Sequence, residues 1–183
     1  MWQAIIFGIG TLVLIYISRA SLREPRTHGF YRFFAWEAIL ALILLNIQNW
    51  FKNPFAWYQV ISWVLLILCL LPLIFGVRSL RGRGAPDREI RRETELLAFE
   101  RTTQLVTDGI YKYIRHPLYS SLLLLAWGAF FKIPSLPGEL LAITGTLFLI
   151  ITARMDEIEC TRVFGADYQE YMKRTKMFIP FVL

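Results

Sequence analysis

Side chains able to do chemistry gather at two places in the C-terminal half of the chain. The first is Tyr113-Ile114-Arg115-His116-Pro117-Leu118-Tyr119-Ser120, preceded by Thr107-Asp108-Gly109-Ile110-Tyr111 and followed by the apolar run LLLLAWGAFF. Proline is favoured at the first position of a helix, where its missing N–H has no partner to lose, so Pro117 can open a helix. The residue before a proline is biased to extended backbone, which holds the His116 imidazole outside that helix. A helix start offers free N–H groups and a positive dipole end, and Arg115 adds a fixed positive charge, so the set can bind an anion. The alternative is purely architectural, with a boundary arginine, a capping histidine and a helix-opening proline.

The second place is Arg154-Met155-Asp156-Glu157-Ile158-Glu159, followed by Phe164-Gly165, Tyr168, Tyr171 and the closing TKMFIPFVL. If the preceding apolar run continues as a helix, Asp156 or Glu157 lies one turn beyond it and can meet Arg115. Tyr168 and Tyr171, three residues apart, share one helical face. Read alone, this is a solvated acidic patch ended by Gly165, with tyrosines at a membrane interface.

The elements that must position these residues are membrane-type. Of 183 residues, 56% are hydrophobic, too many for a water-soluble domain of this length. Apolar runs at 2–18, 33–50, 57–77, 118–131 and 138–153 predict about five transmembrane helices. The last two are joined by KIPSLPG, whose prolines and glycine predict a hairpin. The expected fold is therefore an all-α integral membrane protein, a single domain over 1–183, with helical segments at 78–117 and 154–183 on one membrane face. Glu37 in the second run is expected at an interface, paired with a loop arginine.

Charge gives the orientation. Eighteen of the 20 lysines and arginines fall after the first, third and fifth runs, whereas the other two links hold only Lys52 and Lys132. The positive-inside rule then puts the N-terminus outside and the C-terminus in the cytosol. The net charge of +6 is accounted for by topology and anionic lipid, and a nucleic-acid partner is not required. Cys69 and Cys160 form neither a disulfide framework nor a zinc spacing, and no metal is expected. No cleavable signal peptide is evident at MWQAIIFGIG. In the third link, Pro86-Asp87 marks a helix start and REIRRETELLAFERTTQL, with Ile90, Leu97 and Phe99 as its apolar positions, is expected to form a surface helix. Neither Gly8-Ile9-Gly10 nor Gly82-Arg83-Gly84 forms a dinucleotide-binding fingerprint.

GIYKYIRHPLY, the acidic pair, FGADYQEYMKRT and the closing FIP together resemble the isoprenylcysteine carboxyl methyltransferase and phospholipid methyltransferase family, over about Leu105 to Pro180. Two positions depart from its pattern: Ser121 stands where a small residue, often glycine, is usual, and Asp156-Glu157 replaces a Glu-Glu pair. The resemblance implies a small membrane enzyme using S-adenosyl-L-methionine, with cofactor-binding residues Gly109, Tyr111, Arg115, His116, Pro117, Tyr119, Ser120, Glu157, Tyr168 and Tyr171. Arg115, His116 and Glu157 are its implied catalytic residues, and a lipophilic acceptor reached from the bilayer is its implied partner. A carboxylate acceptor, as in a prenylated cysteine, needs no general base; a phospholipid amine must lose a proton, with Glu157 or His116 to take it. Sterol reductases share this architecture but are larger, and a non-catalytic scaffold is the remaining alternative.

Overall fold

The computed structural model describes residues 2–87, 89, 96–98 and 100–180. Among them the regular structure is helical, with two isolated bridges, Pro86 to Thr102 and Ile114 to Lys176. The helices are α1 (Trp2–Ser18), α2 (His28–Asn46), α3 (Trp57–Leu68), α4 (Leu70–Arg83), α5 (Pro117–Phe130), α6 (Leu136–Phe164) and α7 (Ala166–Arg174).

Three helical stretches are long and apolar enough to cross a membrane: His28–Asn49, Trp57–Arg83 and Leu136–Phe164. The second is interrupted at Cys69. Pro72 has no N–H for the Leu68 carbonyl, so the α3 ladder ends there and α4 resumes one residue later. The helices Trp2–Ser18 and Pro117–Phe130 are apolar but shorter.

The core is the contact of α2 with α6, the most extensive helix pair among the described residues. The buried positions of α2 include His28, Arg32, Ala35, Ile39, Leu42 and Asn46, and those of α6 include Gly138, Ala142, Gly145, Leu149, Ala153 and Glu157. Both series advance by three or four residues, one face of a helix. Small residues bring the backbones together: a Cβ on Gly145 would touch the Ala38 Cβ at 3.6 Å. Helix α5 packs against α2, α3, α4 and α6. Helix α1 buries only Ser18 and leans on α2 alone, where a Cβ on Gly10 would collide with Leu40 at 2.7 Å.

Several elements differ from the sequence expectation. Helix α2 begins five residues earlier than the apolar run, because His28 and Arg32 are buried rather than in a loop. Helix α6 continues eleven residues past Ala153 in one unbroken rod to Phe164. Glu37 has no basic partner among the described residues; Thr11 Oγ1 of α1 donates to it at 2.9 Å. The expected surface helix lies at 88–95 largely outside the described residues. Its described remainder is not helical, since Asp87 N–H bonds the Arg101 carbonyl and Thr103 N–H the Gly84 carbonyl. The described part of the link is thus a turning segment, with one 3₁₀ turn at Gly109–Lys112. Its start at Gly109 has φ +65°, a conformation that favours glycine.

At the opposite end of α5 a polar cluster closes the bundle. Asn46 Nδ2 donates to the Ala129 carbonyl at 2.8 Å and Gln59 Nε2 to the Lys132 carbonyl at 3.0 Å. Lys132 is fully buried, its Nζ 3.2 Å from Gln59 Oε1 and 3.5 Å from the centre of the Trp63 ring.

Candidate active site

Four elements meet at one end of the bundle. From Leu136 to Asp156 helix α6 rises about 30 Å, the thickness of a hydrocarbon core, so its acidic turn lies one such thickness from its start. Pro117 opens α5 at the same level, with His116 as its N-cap. The tail after α7 runs beside the residues that precede α5: Arg115 N–H donates to the Lys176 carbonyl at 2.8 Å, His116 N–H to Met177 at 3.1 Å, and Lys176 N–H to Tyr113 at 3.2 Å. Ser120 Oγ donates to the Phe178 carbonyl at 2.8 Å, and the Phe178 ring lies 6.2 Å from the imidazole. The closing Met177-Phe178-Ile179 therefore frames His116 directly.

These elements enclose a cleft of about 790 Å³, counted out to its open mouth. Its polar wall carries His28, Glu100, Arg115, His116, Asp156 and Glu159. Its aromatic wall carries Tyr111, Tyr119, Tyr168 and Tyr171, and leucines and Val106 complete it. The His116 ring is stacked on Tyr119 at 5.3 Å, with Nδ1 3.4 Å from Asp156 Oδ2. Its Nε2 is buried, has no hydrogen-bond partner among the described residues and stands 3.6 Å from Glu157 Oε1. Burial disfavours the imidazolium, but the carboxylates of Asp156 and Glu157 outweigh it and hold the pKa of His116 above its ordinary value. Tyr119 OH donates to Asp156 Oδ2 at 3.2 Å, and Tyr171 OH to the Tyr111 carbonyl at 2.7 Å. Burial raises the pKa of Tyr111, Tyr168 and Tyr171, so these phenols are neutral donors and not bases.

The expected meeting of Arg115 with the acidic turn occurs, and Glu157 is the partner. Arg115 Nε donates to Glu157 Oε1 at 2.8 Å and Nη2 lies 2.6 Å from the same oxygen. Arg115 Nη1 also bonds the Met172 and Thr175 carbonyls at the end of α7. Glu157 thus faces the arginine rather than lining the cleft, whereas its neighbours Asp156 and Glu159 line it. Of the residues singled out in the sequence, Tyr111, Arg115, His116, Pro117, Tyr119, Tyr168 and Tyr171 line the cleft; Gly109, Ser120 and Glu157 stand behind it.

Sequence reasoning missed His28 and Glu100, and placed Glu159 in the acidic cluster without giving it a role. His28 N–H donates to Glu159 Oε1 at 2.6 Å, and its Nδ1 is 2.7 Å from Oε2. Glu100, in the link, is bonded by Arg32 Nη1 of α2 and lies 3.9 Å from His28 Nε2. Burial would raise the Glu100 pKa, but Arg32 and His28 bring it down to about 2. This pairing fastens the link over the cleft. Both histidines of the chain line the same cavity, and the only sequence signal for His28 was its place just ahead of an apolar run.

Three membrane-length helices with a charged, aromatic cleft at their boundary define a multi-helix membrane protein with a water-facing polar site. Over residues 91–167 the chain matches the model of the phospholipid methyltransferase family. Among curated proteins it is 33% identical over 76 residues to a methanethiol S-methyltransferase of Pseudomonas deceptionensis, covering 40% of this chain and 28% of that one. It is 28% identical over 155 residues to a methanethiol S-methyltransferase of another Pseudomonas, covering 81% and 54%. It is 25% identical over 127 residues to a probable protein-S-isoprenylcysteine O-methyltransferase of Oryza sativa, covering 68% and 64%. The chain therefore spans less than two thirds of the length of each of these relatives. No solved structure matches it.

Proposed function

We propose that the protein is an S-adenosyl-L-methionine-dependent methyltransferase acting on a lipophilic acceptor at the cytosolic membrane interface. The observation that carries this reading is the cleft itself: an unpartnered buried His116 Nε2 and the carboxylates of Asp156 and Glu159 share one aromatic-walled cavity at the membrane boundary. The donor set fits that cofactor. His116 and Arg115 would hold its carboxylate, Asp156 and Glu159 would face its positive centres, and the tyrosines would wall the adenosyl and sulfonium groups. When bound, S-adenosyl-L-methionine supplies an electrophilic methyl group on a positively charged sulfur.

Positioning is the main task left to the chain, worth up to about 7–11 kcal/mol in well-aligned reactions. Arg115 and Glu157 lock the α5 start to α6 and to the tail, which fixes His116. Asp156, held ionised and oriented by Tyr119 and His116, is placed to face a positive centre of the donor. Gly109 and Ser120 act by shaping the backbone around the site.

The membrane arrangement belongs to the same proposal: five crossings, α5 and α6 as a hairpin, the N-terminus outside and the cleft on the cytosolic face. An isoprenylcysteine carboxylate is the acceptor class preferred by the RHPLY, FGADYQEY and FIP segments. A thiol acceptor is the second reading, supported by the S-methyltransferase relatives. A phospholipid amine is the third. Labelled donor offered with a prenylcysteine analogue, methanethiol and phosphatidylethanolamine separates the three. Absence of donor binding in calorimetry would overturn the enzyme reading altogether.

A further inference from the structure

A second cavity lies behind the cleft, between the end of α6 and the tail, and counts about 900 Å³ out to its mouth. Its apolar lining is Ile150 and Met172 with the buried Met177 and Phe178, and its basic lining is Arg115, Arg154, Lys173, Arg174 and Lys176. Ile150 lies about 9 Å below Asp156 along α6, on the hydrocarbon side of the boundary. Arg154 and the residues after α7 stand at the boundary itself. The cavity therefore runs from lipid depth to a cationic rim.

Acids neutralise only part of that rim. Arg154 Nη1 is 3.6 Å from Glu157 Oε2, while Lys173 and Arg174 share Glu170 at 3.2 and 4.0 Å. Lys176 has no acidic partner among the described residues. Its backbone is pinned at the Ile114 bridge, so its side chain projects from a fixed point. The side chains of Arg154, Lys173 and Arg174 are each more than two-thirds exposed, free to reach a ligand.

We infer that this groove binds one anionic phospholipid, its phosphate on Arg154 and Lys176 and an acyl chain along Ile150 and Met172. A soluble phosphate would use the rim and leave the apolar floor unfilled; a neutral lipid would leave the rim unpaired. Only an amphiphile with an anionic head matches both parts. The inference needs the membrane boundary but not methyl transfer, so it stands or falls separately from the enzyme reading.

The test is native mass spectrometry of the full chain in neutral detergent, titrated with phosphatidylglycerol or phosphatidylcholine. One phosphatidylglycerol should be retained in preference to phosphatidylcholine. The double variant Arg154→Gln/Lys176→Gln should weaken that retention at least about tenfold, at roughly one decade for a pair of lost phosphate contacts. Lys112→Gln/Arg162→Gln, which removes the same charge from exposed positions outside the groove, should leave it unchanged. Equal loss in both variants, no loss in the first, or displacement of the lipid by equimolar inorganic phosphate would each overturn the inference. Should the groove variant not fold, a phosphatidylglycerol with a photoreactive acyl chain should label the segments around Ile150 and Met172 of the unaltered protein. Labelling elsewhere alone would count against it equally.

Discussion

Replacing Glu157 by Gln separates a residue that holds the site from one that touches the ligand. Its side chain and that of Arg115 are only 8% and 10% exposed, and the two are joined by contacts of 2.6 and 2.8 Å. Removing one partner of a buried ion pair destabilises by about 3–5 kcal/mol, because the other charge is left uncompensated. Gln keeps an acceptor oxygen, and Arg115 keeps the Met172 and Thr175 carbonyls, so the lower end, about 3 kcal/mol, applies. For a chain of this size that is a fall of roughly 6–12 °C in apparent Tm. Asp156→Asn should behave in the opposite way: it keeps hydrogen-bonding capacity toward Tyr119, leaves Tm within a few degrees, and weakens donor binding. The assay is a thermal-unfolding series in detergent, with and without S-adenosyl-L-methionine, together with calorimetric donor affinity. A Glu157→Gln protein with unchanged Tm and abolished donor binding would refute this division of roles and put Glu157 on the ligand.

The pH profile of stability should have two limbs. Glu100, held at about 2 against 4.5 for an ordinary glutamate, adds stability present above about pH 4.5 and lost as pH falls toward 2. His116, with a raised pKa, adds stability complete below about pH 6.5 and lost as pH rises through its folded value; His116→Gln should shrink that alkaline limb in urea titrations followed by fluorescence. Gly128→Val should destabilise by about 1–3 kcal/mol, read as a lower apparent Tm, because even a Cβ there meets Leu66 at 2.9 Å. Membrane-impermeant thiol labelling of single cysteines in a variant lacking Cys69 and Cys160 should mark Lys52 and Ile133 positions from outside and Arg83 and Lys173 positions from the cytosol. Ile133 is the right reporter in the α5–α6 link because Lys132 is fully buried and would resist any reagent. Cytosolic-only labelling at Ile133 would overturn the five-crossing arrangement.

The legible part of the fold was the part governed by local composition. The run at 2–18 became α1 without adjustment, and Pro117 opened α5 as a proline at N1 should. The site was readable where its partners are close in sequence or share a pattern, as with RHPLY and the tyrosine pair on α7. It was not readable where a buried charge is neutralised from afar. His28 and Arg32 look like loop residues until Glu159 and Glu100, 131 and 68 residues away, pair with them. The same distance hid the beginning of α2. Which of three neighbouring acids faces the cleft depends on the rotation of α6, set by the packing of Ala142, Gly145 and Leu149 on α2 rather than by the acidic turn itself.

Arg115 borders both cavities, so if each holds its proposed ligand, one guanidinium links the two binding equilibria. An anion in the groove that draws on Arg115 alters its hold on Glu157, and through it the free energy of whatever occupies the cleft. Linkage makes the effect equal in both directions: if lipid tightens donor binding about fivefold, donor tightens lipid binding by the same factor. The working affinity of the cleft for a water-soluble compound then depends on the composition of the surrounding leaflet. In that case the bilayer is an effector as well as a solvent.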